Sequence, residues 1–353
     1  MSSVSTGPDM AIPPFTGTVT RLTDGPVVAA DMFGPGDIAG LEPDALANTN
    51  GPSVIRMPDW AAGKQAAIHM YFAHHKGRSI RLAYADRLDG PWAIYPDPIM
   101  PLANSLFAPE DPVPDPALTP PDWVAGLDGD YLYAHVASPD VHVDEAARQI
   151  VMYYHGLLSD GDQQTRLSTS ADGLDFTAQA PLLGPPYIRA AWFGGTLYLS
   201  MWAGRLARAT SWQGPFDFAP MIHDGDHLPP HLSGRHPDHP GRQIRHGHLF
   251  AHDGRLHMTF SRIGDGPERL CHCELLPADD WADWRFGPVR ELLRPAPGWE
   301  GGDQPMQASV MGTAMGRLHE LRDPALFSDQ GQVYMAYCGG GESGLCIAKV
   351  DGL

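Results

Sequence analysis

The chain has 353 residues, with 24 Lys and Arg against 42 Asp and Glu and a formal net charge of −18. An acidic surface of this kind repels phosphate backbones and anionic bilayers, which argues against nucleic acid and membrane surfaces as partners. No run of about 18 apolar residues is present, so no spanning helix is expected. The opening MSSVSTGPDMAIPPF has neither the basic nor the apolar region of a secretory leader, and the expected location is the cytoplasm.

Gly, at 39, and Pro, at 35, are abundant and favour turns over long helices. Apolar and aromatic residues gather in short runs without a sustained 3.6-residue period, which reads as all-β. In chain order, the first predicted strand is GTVTRLT, near 17–23. A first unit opens at Asn50 with NGPSVIR and continues through IHMYFAHHKG to RSIRLAYADRLDGPW. A second opens at Ser138 with SPDVHV and runs through QIVMYYHGL to QTRLSTS. The third starts at Tyr187 (YIRAAWF, TLYLSMWAG, RLARAT), the fourth at Ile244 (IRHGHLFAHDG, RLHMTFSRI, RLCHCEL). The fifth starts at Leu321 (LRDPALFSDQ, GQVYMAYCGGG, GLCIAKV).

Each unit has the same order: a polar residue, an apolar strand, a turn, an aromatic-rich strand, a polar loop and a third strand. One such sheet cannot bury both of its faces alone, so in-phase repetition implies radial packing. The predicted fold is a single five-bladed β-propeller over 1–353. The fifth unit lacks a fourth strand, and the strand near 17–23 is expected to supply it and close the ring. A β-sandwich is the competing architecture, but five in-phase units are hard to obtain from it. Longer insertions fall at 96–131, 218–243 and 279–317, and the Pro-rich first and His-rich second are expected as surface loops over one face.

In a propeller the first strand of each blade lines the axis, and its start opens on the same face as the loop after the second strand. The strand-one starts are Asn50, Asp140, Arg189, His246 and Asp323; the strand-two ends are His74, His75, His155, Trp202, Arg262 and Glu342. His142 and His248, two residues further along their strands, are expected to face the axis just below. Each residue has an ordinary structural reading: Asp before Pro caps turns, and a lone His in a strand is commonly a hydrogen-bonded core residue. Taken together, this much charge at one mouth is costly to bury for stability alone. The four cysteines, Cys271, Cys273, Cys338 and Cys346, form no zinc-ribbon spacing and are expected to be reduced thiols.

The segments RDPALF, SPDVHV and HHKGRSIRLAYADRLDGPW resemble motifs of the five-bladed propeller glycoside hydrolases. That group includes the arabinanase and β-xylosidase-like family, the invertase and levansucrase families and the neoagarobiose hydrolases. The resemblance implies carboxylates at the funnel, with Asp140 and Asp323 on matching motifs and Glu342 or His75 as the acid. Asn50, His74, His155, Arg189, Trp202, His246 and Arg262, mapped to the same mouth, are expected to contact a small carbohydrate. The family's first-blade aspartate is replaced by the NGPS of Asn50. A metal-dependent lyase is the alternative, with a divalent ion on His142, His246 and His248; a non-catalytic sugar-binding propeller is the third reading. No cofactor is otherwise required. The sequence leaves open whether copies associate as a homo-oligomer.

Overall fold

The structure, a computed structural model, describes residues 12–33, 48–113, 132–220, 235–236 and 239–353. Five antiparallel sheets follow one another along the chain. Their innermost strands are Asn50–Arg56, Val136–Asp144, Arg189–Phe193, His239–His252 and Arg317–Asp329. The last of these packs beside the first, so the sheets form a closed ring of five blades. Thr18–Arg21 pairs antiparallel with Gly344–Asp351, adding an outer strand to blade 5 from the start of the chain.

The core is divided into wedges between neighbouring blades. Along Gln149–Leu157 of blade 2, Ile150 and Met152 pack toward blade 1, while Val151 and Tyr153 pack toward blade 3. That is the two-residue alternation of a strand buried on both faces. It explains why these strands read as nearly continuous apolar runs. Equivalent wedges lie between blades 3 and 4, 4 and 5, and 5 and 1. The four cysteines are buried free thiols within them. Among the described residues no helix is long and apolar enough to cross a membrane.

Four of the inner strands carry a β-bulge at the same place, with two residues opposing one on the second strand. The bulged pairs are Gly51–Pro52, Ser138–Pro139, Arg245–His246 and Asp323–Pro324. In three of them the first residue has positive φ: 57° at Gly51, 49° at Ser138 and 51° at Asp323. This conformation is open to Gly and tolerated by Asp, and the proline that follows has no N–H to leave unpaired.

The bulge corrects the alignment expected from sequence. Asn50, Asp140, Arg189, His246 and Asp323 do not form one ring. Asn50 lies just before its bulge, Asp323 is a first bulge residue, His246 a second, and Asp140 comes just after. Asp323 is thus equivalent to Gly51 and Ser138, whereas Asp140 is equivalent to Ser53 and Ala325.

Inner strands are tied to one another by side chain to backbone bonds. Ser53 Oγ accepts from Val141 N–H (2.9 Å), Asp140 Oδ2 from Ala190 N–H (2.8 Å), His248 Nδ1 from Leu326 N–H (3.3 Å) and Asp323 Oδ2 from Gly51 N–H (3.0 Å). Each bond satisfies a backbone donor that would otherwise be buried alone.

Candidate active site

A pocket of about 250 Å³ opens beside the blade-4 bulge. His75, Tyr187, Trp202, Arg205, Arg245, His246 and Glu342 line it, with walls from Tyr133 and from residues 162–164, 185–186 and 311–313. Arg245 and His246 are adjacent in sequence, and in a regular strand they would point to opposite faces. The bulge, which sets both against Ser261, is what lets neighbours share one pocket.

Two histidine–carboxylate pairs meet this pocket. In the first, Glu342 is buried, and its Oε2 lies 2.9 Å from His75 Nδ1. Asn48 Nδ2 donates to the same oxygen, and Arg322 Nη1 donates to Oε1 at 3.0 Å. Burial pushes the Glu342 carboxyl up, but His75 and Arg322 outweigh it and bring it down to about 2. In the second, His246 Nδ1 bonds Asp323 Oδ1, and Asp323 is buried beneath the pocket. Burial again opposes the charge. The His246 contact, the Gly51 N–H and the nearby Arg189 together hold the Asp323 carboxyl well below the usual carboxylate range.

Both rings therefore use Nδ1 on a carboxylate. Among the described residues, Nε2 of His75 and Nε2 of His246 have no hydrogen-bond partner, and both residues line the pocket. This is the arrangement in which a fixed imidazole presents its second nitrogen for proton transfer. Tyr187 stacks close to His246, with ring centroids 4.2 Å apart, and lies 5.6 Å from the Trp202 ring. The result is an aromatic wall beside the His246 imidazole.

Of the residues singled out from sequence, His75, Glu342, Trp202 and His246 line the pocket, and Asp323 stands behind His246. Asn50 stands behind His75, its Nδ2 3.3 Å from His75 Nδ1. The others lie outside the lining. His74 bonds the Asn48 carbonyl between Phe33 and Phe72, and burial lowers it to about 4. His155 is buried under Tyr187 with neither ring nitrogen partnered among the described residues, and burial pushes it far down.

Asp140 belongs to a third pair. Its Oδ2 lies 2.7 Å from His142 Nε2, and Arg189 Nη1 is 3.5 Å from Oδ1. Burial raises Asp140, yet His142 and Arg189 bring it down to about 2. His142 stacks on Trp212 at 5.0 Å, away from the pocket lining. Arg262, on the second strand of blade 4, is fully buried, 2.8 Å from Asp265. Burial lowers His248 to about 3.

Among the described residues no three His, Cys, Asp or Glu side chains are grouped to hold a metal. His142 and His246, proposed as ligands from sequence, are each turned onto an aspartate. Tyr187, Arg205 and Arg245 were not singled out from sequence. Tyr187 could have been, since it opens the third unit. Arg245 could not, because the bulge that turns it inward is silent in the sequence.

No family model matches the chain. Over 315 residues it is 29% identical to "Uncharacterized protein R118" of Acanthamoeba polyphaga mimivirus, covering 86% of this chain and 83% of that protein. Solved structures show the same architecture. The GH43_1 enzyme of Xanthomonas citri superposes with a TM-score of 0.51 at 14% identity, over 95% of this chain and 90% of that one. A second glycoside hydrolase structure gives 0.55 at 10% identity, over 95% and 93%. A GH43 β-xylosidase/α-arabinofuranosidase from a compost metagenome gives 0.50 at 11%, over 86% and 90%. The chain thus shares the five-bladed propeller of these glycoside hydrolases.

Proposed function

We propose that the protein is a glycoside hydrolase-like enzyme that cleaves a small oligosaccharide or glycoside in this pocket. The observation that carries the reading is the pair of carboxylate-fixed imidazoles that line one cavity, each with its Nε2 unpartnered among the described residues. Glycoside cleavage needs one group to protonate the leaving oxygen and another to activate water. His75, fixed by Glu342, donates to the leaving oxygen; His246, backed by Asp323, takes the proton of the attacking water. Trp202 offers a ring face for a pyranose to stack on, beside a Tyr187 ring that is held between His155 and His246. The shared fold supports the reaction class.

Asp140 takes no direct part in this scheme: it joins blades 2 and 3 and lies off the pocket lining. The test is turnover of a panel of aryl glycosides, neutral and acidic, by the wild type and by His75→Gln. The wild type is expected to hydrolyse at least one. His75→Gln should lose about 10²- to 10⁴-fold in kcat with an unchanged circular dichroism spectrum. No turnover of any glycoside by the wild type would refute the enzymatic reading; undiminished turnover by His75→Gln would remove His75 from the chemistry.

A further inference from the structure

Two arginines line the pocket, and they differ in one respect. Arg245 is buried, paired through Nε and Nη2 with both oxygens of Glu268 at 2.8 and 2.9 Å, and Nη2 also donates to the Val310 carbonyl at 2.6 Å. Its Nε and Nη2 donors are thus occupied by the protein. Arg205 is half-buried and, among the described residues, makes neither a hydrogen bond nor an ion pair. Desolvation disfavours its charge, and the partial offset comes from Asp162 across the pocket wall. Asp162 itself accepts from Gln164 Nε2 at 2.6 Å.

A partly desolvated guanidinium without a partner is costly to hold. The local backbone nevertheless holds it in place. Arg205 follows the short turn Trp202–Gly204, in which Ala203 has a φ of 62°, and then begins the strand Arg205–Ala209. Arg205 therefore sits three residues from Trp202, and both line the pocket. A sugar stacked on that wall would meet the guanidinium with one of its substituents.

We propose that Arg205 is the specificity-determining residue of this pocket and that it recognises the carboxylate of a uronic acid. The planar fork of a guanidinium matches a carboxylate with two parallel bonds. A neutral hydroxymethyl group at the same carbon could satisfy only part of it, leaving the remaining donors poorly solvated. The inference rests on the sugar-binding reading of the pocket and deepens it from a glycoside to an acidic one. It does not depend on which residues carry out the chemistry.

Binding separates the two levels. Methyl β-D-glucuronide and methyl β-D-glucoside differ only at C6, a carboxylate against a hydroxymethyl, and both can be titrated calorimetrically into the wild type and Arg205→Gln. The wild type is expected to bind the glucuronide about tenfold or more tightly than the glucoside, with the advantage shrinking as salt is raised. In Arg205→Gln that preference should vanish while glucoside binding persists. Equal affinity of the wild type for both sugars, or a preference that survives Arg205→Gln, would overturn the assignment and leave the sugar-binding reading standing. Failure of the wild type to bind either sugar would overturn both.

Discussion

The His246–Asp323 and His142–Asp140 pairs have the same chemistry at two places in one ring. In both, the aspartate is buried, accepts a backbone N–H from the next blade and is held ionised by an adjacent imidazole. They differ in where the bulge places them. Asp323 is the first bulge residue of blade 5, and its partner His246 is itself a bulge residue that lines the pocket. Asp140 comes just after the bulge of blade 2, and its partner His142 stacks on Trp212 instead. The comparison teaches that a buried, perturbed carboxylate is not by itself a sign of catalysis. Ser53, at the position equivalent to Asp140, makes the same bond to its neighbouring blade with an uncharged side chain.

If that distinction is right, Asp140→Ala should act on stability. It removes the acceptor for Ala190 N–H and the charge opposite Arg189 and His142. Breaking a buried pair from one side costs about 3 kcal/mol or more, read as a lower denaturant midpoint. The folded remainder should turn over substrate within a few-fold of the wild type. A normal midpoint with lost turnover would reverse the roles of the two aspartates.

Acid should separate the imidazoles from the carboxylates. His74 and His135 are lowered by burial to about 4 and His248 to about 3. Protons therefore bind the unfolded chain more readily, so this contribution is whole above about pH 6.5 and erodes as pH falls toward 4. Asp140 and Glu342 are lowered to about 2. Their contribution is whole above about pH 4.5 and is lost as pH falls toward 2. Melting temperature measured against pH should thus decline in two stages. A flat profile from pH 7 to 4 would contradict the burial of these neutral imidazoles.

Much of the ring was legible in the sequence because each blade repeats the same turn and strand order, and alternation is strong where both faces are buried. The unit starts at Asn50, Ser138, Tyr187, Ile244 and Leu321 fall at or within a few residues of the observed inner strands. The site was legible only in part. His75, Trp202, His246 and Glu342 were found because they end or begin strands at the mouth. Depth was not, because a bulge adds one residue to one strand without leaving a composition signal. That single residue turned Arg245 inward, whereas Asp323 and Asp140 lie at different levels because one precedes and the other follows the bulge proline.

The central claim is that Asp323 and His246 act as one unit on the pocket. The direct measurement is kcat/KM for the wild type, Asp323→Asn, His246→Gln and the double variant on a glycoside that the wild type hydrolyses. Asn tolerates the positive φ at position 323, so the fold should persist, and Asp323→Asn should lose about 10²- to 10⁴-fold. The account expects the double variant to be no slower than the more impaired single, as for residues that work together. Losses that multiply in the double variant, or an Asp323→Asn enzyme as active as the wild type, would contradict it.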